Sequence, residues 1–183
     1  MNNPLIKRGR CHVFGDDIPL DEGVMPFSFA IGRVTDPKEL IPHLFAAIDP
    51  EFPARVRPGD IVVAGRNFGC GKAHMQGFIA MAALGIGVLC GSMPYKAHRG
   101  AVACGVPVLT GCEGAGDFAS TGDEIEVDFG SGEAFNISRS LRMRFPPIPK
   151  ILGDLVVCGG LKGALSAYLN ANPEMRLPLE VVR

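Results

Sequence analysis

The sequence has almost no net charge: 18 lysines and arginines face 19 aspartates and glutamates, leaving −1 at pH 7. That balance supplies no general basic field for a nucleic acid or a membrane surface. It has no long apolar run either; no stretch reaches the roughly 18 residues needed to span a bilayer. The opening residues, Met1-Asn2-Asn3-Pro4-Leu5-Ile6-Lys7, lack the apolar region of a secretory signal, so a cytoplasmic location is expected. Cysteines are present at 11, 70, 90, 104, 112 and 158, but no pair has Cys-x-x-Cys spacing. This disfavours a zinc ribbon or a thioredoxin-like centre, and no set has ferredoxin-like spacing for an iron–sulfur cluster. In a reducing compartment no disulfide frame is expected, and most of these thiols read as small buried apolar groups. No internal repeat is visible.

What is there suits one soluble globular domain. The chain has 183 residues, 47% hydrophobic and 20% charged, enough for a substantial core. The 24 glycines and 15 prolines punctuate periodic segments and do not form a low-complexity tail.

One stretch organises the rest. Asp60-Ile61-Val62-Val63-Ala64 follows Pro58-Gly59 and reads as a strand. Met75, Phe78, Ile79 and Ala82 fall at helical spacing. Between them lies Gly65-Arg66-Asn67-Phe68-Gly69-Cys70-Gly71-Lys72-Ala73-His74. A glycine-rich turn that leads into a helix N-terminus favours an anion such as a carboxylate or phosphate. Gly69 and Gly71 let the backbone approach such a group. Many strand-to-helix turns bind nothing, so the turn alone does not assign a ligand. It is neither Gly-x-Gly-x-x-Gly nor a phosphate loop ending in Lys-Ser/Thr, which disfavours a nucleotide site.

Around it, Gly9–Gly15 reads as a first strand, followed by an acidic turn with Asp16, Asp17, Asp21 and Glu22. A hard cation is one reading of that turn, but its spacing is not a calcium loop and solvated acids are commoner. Val24–Gly32 carries no charge and reads as packed on the core or on a partner. Asp36-Pro37-Lys38-Glu39 opens a helix whose apolar face is Leu40, Leu44, Ala47 and Ile48, with Pro42 placed to kink it. Glu51–Arg57 reads as a polar connector. Gly85–Cys90 is a buried strand, Tyr95–Cys104 a helix stopped by Gly105, and Val106–Leu109 another strand. This alternation predicts parallel pairing with right-handed crossovers. Asp123–Phe129 then alternates apolar and acidic residues and forms a hairpin with Glu133–Ile137. After a stiff Phe145–Pro149 connector come two short helices, Lys150–Val157 and Leu161–Leu169, and a surface-packed tail from about Asn170.

From Gly9 to Leu169 these segments resemble the small subunit of 3-isopropylmalate dehydratase, which corresponds to the swivelling C-terminal domain of aconitase. The residues that carry the resemblance are Gly15-Asp16-Asp17-Ile18 with Asp21, the block from Pro58 to Gly71 with its Asn67-Phe68-Gly69-Cys70-Gly71 core, and Ala83–Gly87. Ser92, Arg99, Gly105–Leu109, Gly122–Glu124 and Phe145–Pro147 complete it. The resemblance implies an α/β fold, a swivelling β/β/α domain with a mixed sheet flanked by helices, over residues 1–183. It implies a large aconitase-like subunit as partner, a [4Fe–4S] cluster on that partner and none bound by this chain. The substrate would be a small hydroxy-dicarboxylate or tricarboxylate. This chain would supply substrate-binding and proton-transfer groups.

The match breaks inside the organising stretch. The family continues Cys-Gly with Ser-Ser-Arg-Glu-His, where the first serine is the catalytic base and the arginine binds a substrate carboxylate. Here Lys72, Ala73, His74, Met75 and Gln76 stand in those positions. A lysine can act as a base when its pKa is lowered, or simply bind a carboxylate. His74 can pair with a carboxylate or shuttle a proton. The family's Pro-x-Arg-like element is Val24-Met25-Pro26-Phe27-Ser28 here, and its Ser-Phe-Ala-Arg is Ser92-Met93-Pro94-Tyr95. Both arginines are missing, though Lys96, His98 and Arg99 lie near. The expected site is therefore Lys72 and His74 for catalysis, with Asp21, Asn67, Gly69, Cys70, Gly71, Ser92 and Arg99 for substrate. The competing reading is a non-catalytic binding or regulatory scaffold that has lost the family's serine and arginine.

Overall fold

A computed structural model describes residues 3–176. In chain order the first elements are β1 (Ile6–Val13), α1 (Phe27–Ile31), α2 (Pro37–Leu40), α3 (Phe52–Arg55), β2 (Ile61–Ala64), α4 (Gln76–Ala83) and β3 (Gly87–Cys90). There follow α5 (Tyr95–Cys104), β4 (Val108–Leu109), α6 (Ala115–Phe118), β5 (Glu124–Asp128), β6 (Glu133–Asn136), β7 (Leu141–Arg144), α7 (Lys150–Val157) and α8 (Gly160–Ala171).

Strand β1 divides a seven-stranded sheet of order β4-β3-β2-β1-β5-β6-β7. Its second half, Cys11–Val13, pairs in parallel with Ile61–Val63 of β2. Its first half, Ile6–Arg10, pairs antiparallel with β5. The sheet is therefore parallel on one side of β1 and antiparallel on the other. The two halves differ in pattern for a physical reason. β2 and β3 are covered on both faces, and every residue in them is buried. β5 has one wet face: Ile125 and Val127 are buried while Glu124 and Glu126 are exposed.

Alternation along the strands sends side chains into two cores. Val62, Ala64, Val88 and Cys90 meet Leu40, Phe78, Met81 and Ala97 of α2, α4 and α5, together with Phe45, Phe52 and Phe68. Ile61, Val63, Leu89 and Leu109 face the other way, onto Phe118, Phe129, Phe145 and Val156. A buried polar pair sits where β1 meets the start of β2. His12 Nε2 lies 2.9 Å from Asp60 Oδ2, and Asp60 also accepts from the N–H groups of Arg10 and Arg57.

Several expectations need correction. The helix opened by Asp36 does cap as expected, with Asp36 Oδ1 accepting from the Lys38 N–H at 2.9 Å. It does not carry Leu44, Ala47 and Ile48 on one helical face. α2 ends at Leu40, Ile41–His43 is a 3-10 turn, and Leu44 is extended with ψ 122°. Pro42 has no N–H to continue the ladder, and its ring blocks the preceding turn. Leu44 and Phe45 are buried all the same. The Glu51–Arg57 connector contains α3, which anchors fully buried Phe52. The uncharged Val24–Gly32 segment contains the short α1, and α6 and edge strand β7 lie where no element was predicted. β1 begins earlier than Gly9 because Ile6–Gly9 gain their partners from β5, far away in sequence. The segment from Asn170 begins as the end of α8 and a 3-10 turn at Pro173–Met175; residues 177–183 lie outside the described part.

Candidate functional site

Three loops meet at the carboxyl end of the parallel half-sheet, where ligands of open α/β sheets bind. They follow β1 (Gly15–Gly23), β2 (Gly65–His74) and β3 (Gly91–Pro94). The acids of the first loop clasp the second. Asp16 accepts from the Arg66 N–H at 2.7 Å and from its guanidinium at 2.9 Å. Asp17 Oδ1 accepts from Asn67 Nδ2 at 2.7 Å. Asp21 pairs with His74, with Oδ1 2.8 Å from Nδ1. The Arg66 backbone N–H, then its side chain, hold the Asp16 carboxyl below the usual carboxylate range. A side chain at Gly65 would come within 2.0 Å of Asp16 Oδ1, so glycine is what lets the two loops close.

The third loop ties down the base of the turn. Ser92 Oγ accepts from the Asn67 N–H at 2.8 Å, and the Ser92 carbonyl accepts from the Phe68 N–H. Phe68 is wholly buried and anchors the turn to the core. Asn67 at φ 59° and Gly69 at φ 80° give the left-handed kinks that fold the chain around it. The Gly69 N–H bonds the Ile18 carbonyl, and the Cys70 carbonyl accepts from Leu20. Cys70 Sγ rests 3.5 Å from the Asp17 carbonyl.

The turn's first N–H groups are thus used within the protein, and helix α4 starts only at Gln76. No hydrogen bond within the described residues uses the N–H groups of Gly71, Lys72 or Ala73. That exposed segment opens onto a depression between the turn and α5, lined by Lys72, His74, Lys96 and Arg99, with Leu161 on its edge. None of its lining residues is acidic. Asp21 stands behind it, on the far side of His74, and Phe27 flanks the same ring at 5.2 Å between centroids. Arg99 also leans over the Tyr95 ring, 5.8 Å from its centroid. Next to it on α5, burial lowers the pKa of His98, which does not line the depression.

Lys72, His74, Gly71 and Arg99 therefore share one depression. The other expected residues do not line it. Ser92 opens on a neighbouring hollow with Asp16, Arg66 and Glu113. Asn67, Gly69 and Cys70 shape the turn, and Asp21 holds His74. Sequence reading left Lys96 and the Asp16–Arg66 clasp out of the site. A basic residue one turn before Arg99 was the available signal for Lys96. For the clasp it was the match of three acids in one loop to polar partners in the next.

The thiols do not form a metal centre. Among the described residues, no group of three or more His, Cys, Asp or Glu side chains is placed to hold a metal. Burial pushes the Cys11, Cys90 and Cys112 thiols up to about 12 and Cys104 to about 11, so these groups stay neutral and packed in the core. The residues present do not fit an iron–sulfur cluster. Among the described residues no single helix is long and apolar enough to cross a membrane.

The mixed sheet, its flanking helices and the three-loop site define a swivelling domain of the aconitase type. No family model matches the chain. It is 36% identical over 158 residues to the 3-isopropylmalate dehydratase small subunit of Moorella thermoacetica, covering 86% of this chain and 93% of that one. It is 31% identical over 157 residues to the isopropylmalate/citramalate isomerase small subunit of Methanocaldococcus jannaschii, covering 85% and 91%. The crystal structure of 3-isopropylmalate dehydratase from the latter organism matches with a TM-score of 0.82 at 30% identity, over 93% of this chain and 99% of that one. The chain belongs to the 3-isopropylmalate dehydratase small-subunit family. It is a hydro-lyase subunit, and its family implies pairing with a large aconitase-like subunit.

Proposed function

We propose that this cytoplasmic subunit closes over a hydroxy-dicarboxylate or tricarboxylate seated on a cluster-bearing large subunit. It binds one substrate carboxylate in the depression of Lys72, Lys96 and Arg99. The observation that carries the reading is a basic, acid-free depression at the position of the family's catalytic motif. The cations converge from two elements, the turn after β2 and helix α5. That supports carboxylate binding although the family's arginines are missing.

Lys72 stands where the family places its serine base, and His74 where it places its carboxylate-binding arginine. Asp21 engages His74 Nδ1 and leaves Nε2 as the free ring nitrogen. His74 is thus held ready to move a proton or to bind a carboxylate oxygen. The [4Fe–4S] chemistry belongs to the large subunit; this chain binds, orients and moves a proton.

The test is reconstitution with the large subunit and turnover on isopropylmalate, citraconate, dimethylmalate and homoaconitate. Lys72→Ala lowers turnover on the best substrate. Full turnover by that variant overturns a role for Lys72 at the site. A chain that binds the large subunit but supports no turnover on any of them favours the non-catalytic scaffold.

A further inference from the structure

Helix α8 is an unusual element for the surface of this domain. Of its 12 residues only Gly160 is buried, and only Lys162 is charged. Leu161 and Leu165 are each 58% exposed and Tyr168 52%. Their spacing of four and three residues puts them on one face, as a stripe along the helix. α8 packs against α5 and α7, and the stripe is the face that this packing leaves open. Depletion of charge with aliphatic and aromatic groups on offer is the composition of the centre of an interface.

One end of the stripe reaches the depression. Leu161 lines the same depression as Lys72 and Arg99. A body that closes the depression from outside meets Leu161, the first residue of the stripe. We propose that Leu161, Leu165 and Tyr168 of α8 form a docking surface for the large subunit, continuous with the site the two subunits share. The inference rests on the two-subunit reading above. The partner chemistry it requires is an apolar patch that borders the substrate site.

The experiment uses the full-length chain with Leu165 and Tyr168 both changed to glutamate, and a second variant with both changed to lysine. Neither residue lines the depression, and Glu and Lys are good helix formers. Three quantities are measured: affinity for the purified large subunit, sedimentation of the chain alone and its thermal midpoint alone. Support is a loss of affinity of at least tenfold in both variants, with sedimentation and midpoint unchanged. Equal affinity in variants and wild type overturns the docking surface and leaves the function reading intact. Dissociation of a self-dimer at unchanged affinity assigns the stripe to a second copy and overturns it. A lowered midpoint at unchanged affinity assigns the two residues to packing within the chain and overturns it equally. A wild-type chain that binds no large subunit overturns both readings.

Discussion

The His74 ring is held by Asp21 from a loop 53 residues away, with Nδ1 2.8 Å from one carboxylate oxygen and 2.9 Å from the other. A carboxylate on one ring nitrogen fixes the orientation of the imidazole and decides which nitrogen is free. Asp21→Asn keeps the size and one hydrogen bond but removes the charge. In the reconstituted enzyme kcat is expected to fall by about tenfold or more, with KM much less affected. Circular dichroism and the thermal midpoint of the variant check that the fold is kept. An unchanged kcat would make the pair a loop clasp and nothing more.

Gly69 and Gly71 have nearly the same backbone, φ 80° and 82°, but different surroundings. A Cβ at Gly69 would sit 3.0 Å from the Ala97 Cβ of α5, whereas one at Gly71 meets nothing within 4 Å. Gly71→Ala therefore costs only the left-handed strain, about 1–2 kcal/mol. Gly69→Ala adds overpacking against α5, for a total of about 2–5 kcal/mol. Urea titration of both variants measures the difference. Equal losses would show that α5 gives way without cost.

The fold was legible where local pattern and tertiary role agree. The continuous apolar run Ile61–Ala64 and the alternating Glu124–Asp128 are the two halves of the sheet written in two periods. It was illegible where the partner is remote. Leu141–Arg144 is the exception: its partner β6 lies just before it and it alternates apolar and basic residues, but the run is short and its side chains are mostly wet. The His12–Asp60 pair depends on β1 and β2 lying side by side, which neither segment states alone. The site was half legible. The turn and its substituted side chains were visible in order along the chain. The use of Asp16, Asp17 and Asp21 to lock that turn needed the distances.

The cysteines divide into two reactivity groups. Cys11, Cys90 and Cys112 are buried, with thiols pushed up to about 12, and Cys104 is raised to about 11. Cys158 is exposed and Cys70 half-buried at the site turn. Iodoacetamide at pH 8 is expected to label Cys158 first and Cys70 next, by peptide mass spectrometry. The other four react only after unfolding, because the thiolate is the nucleophile. Early labelling of Cys90 or Cys112 would contradict the closed core around β3 and β4.

Acid should loosen the fold through two carboxyls, of which Asp16 closes the loop clasp and Asp123 lies just before β5. Asp16 is held below the ordinary value of 3.8, first by the Arg66 backbone N–H and then by its side chain. Asp123 is lowered likewise, first by the Ser120 N–H and then by the Asn136 amide. A carboxyl depressed in the folded state takes up its proton more readily in the unfolded chain, so falling pH favours unfolding. The stability each contributes is complete above the ordinary carboxylate value and is lost as pH drops through the lower folded value. Asp16→Asn keeps one oxygen for the Arg66 N–H but cannot titrate. Its urea midpoint should therefore lie below wild type at pH 6, and the gap should narrow at pH 3. A gap that stays constant across this range would mean that the Asp16 charge adds nothing to the clasp and that shape alone holds the two loops together.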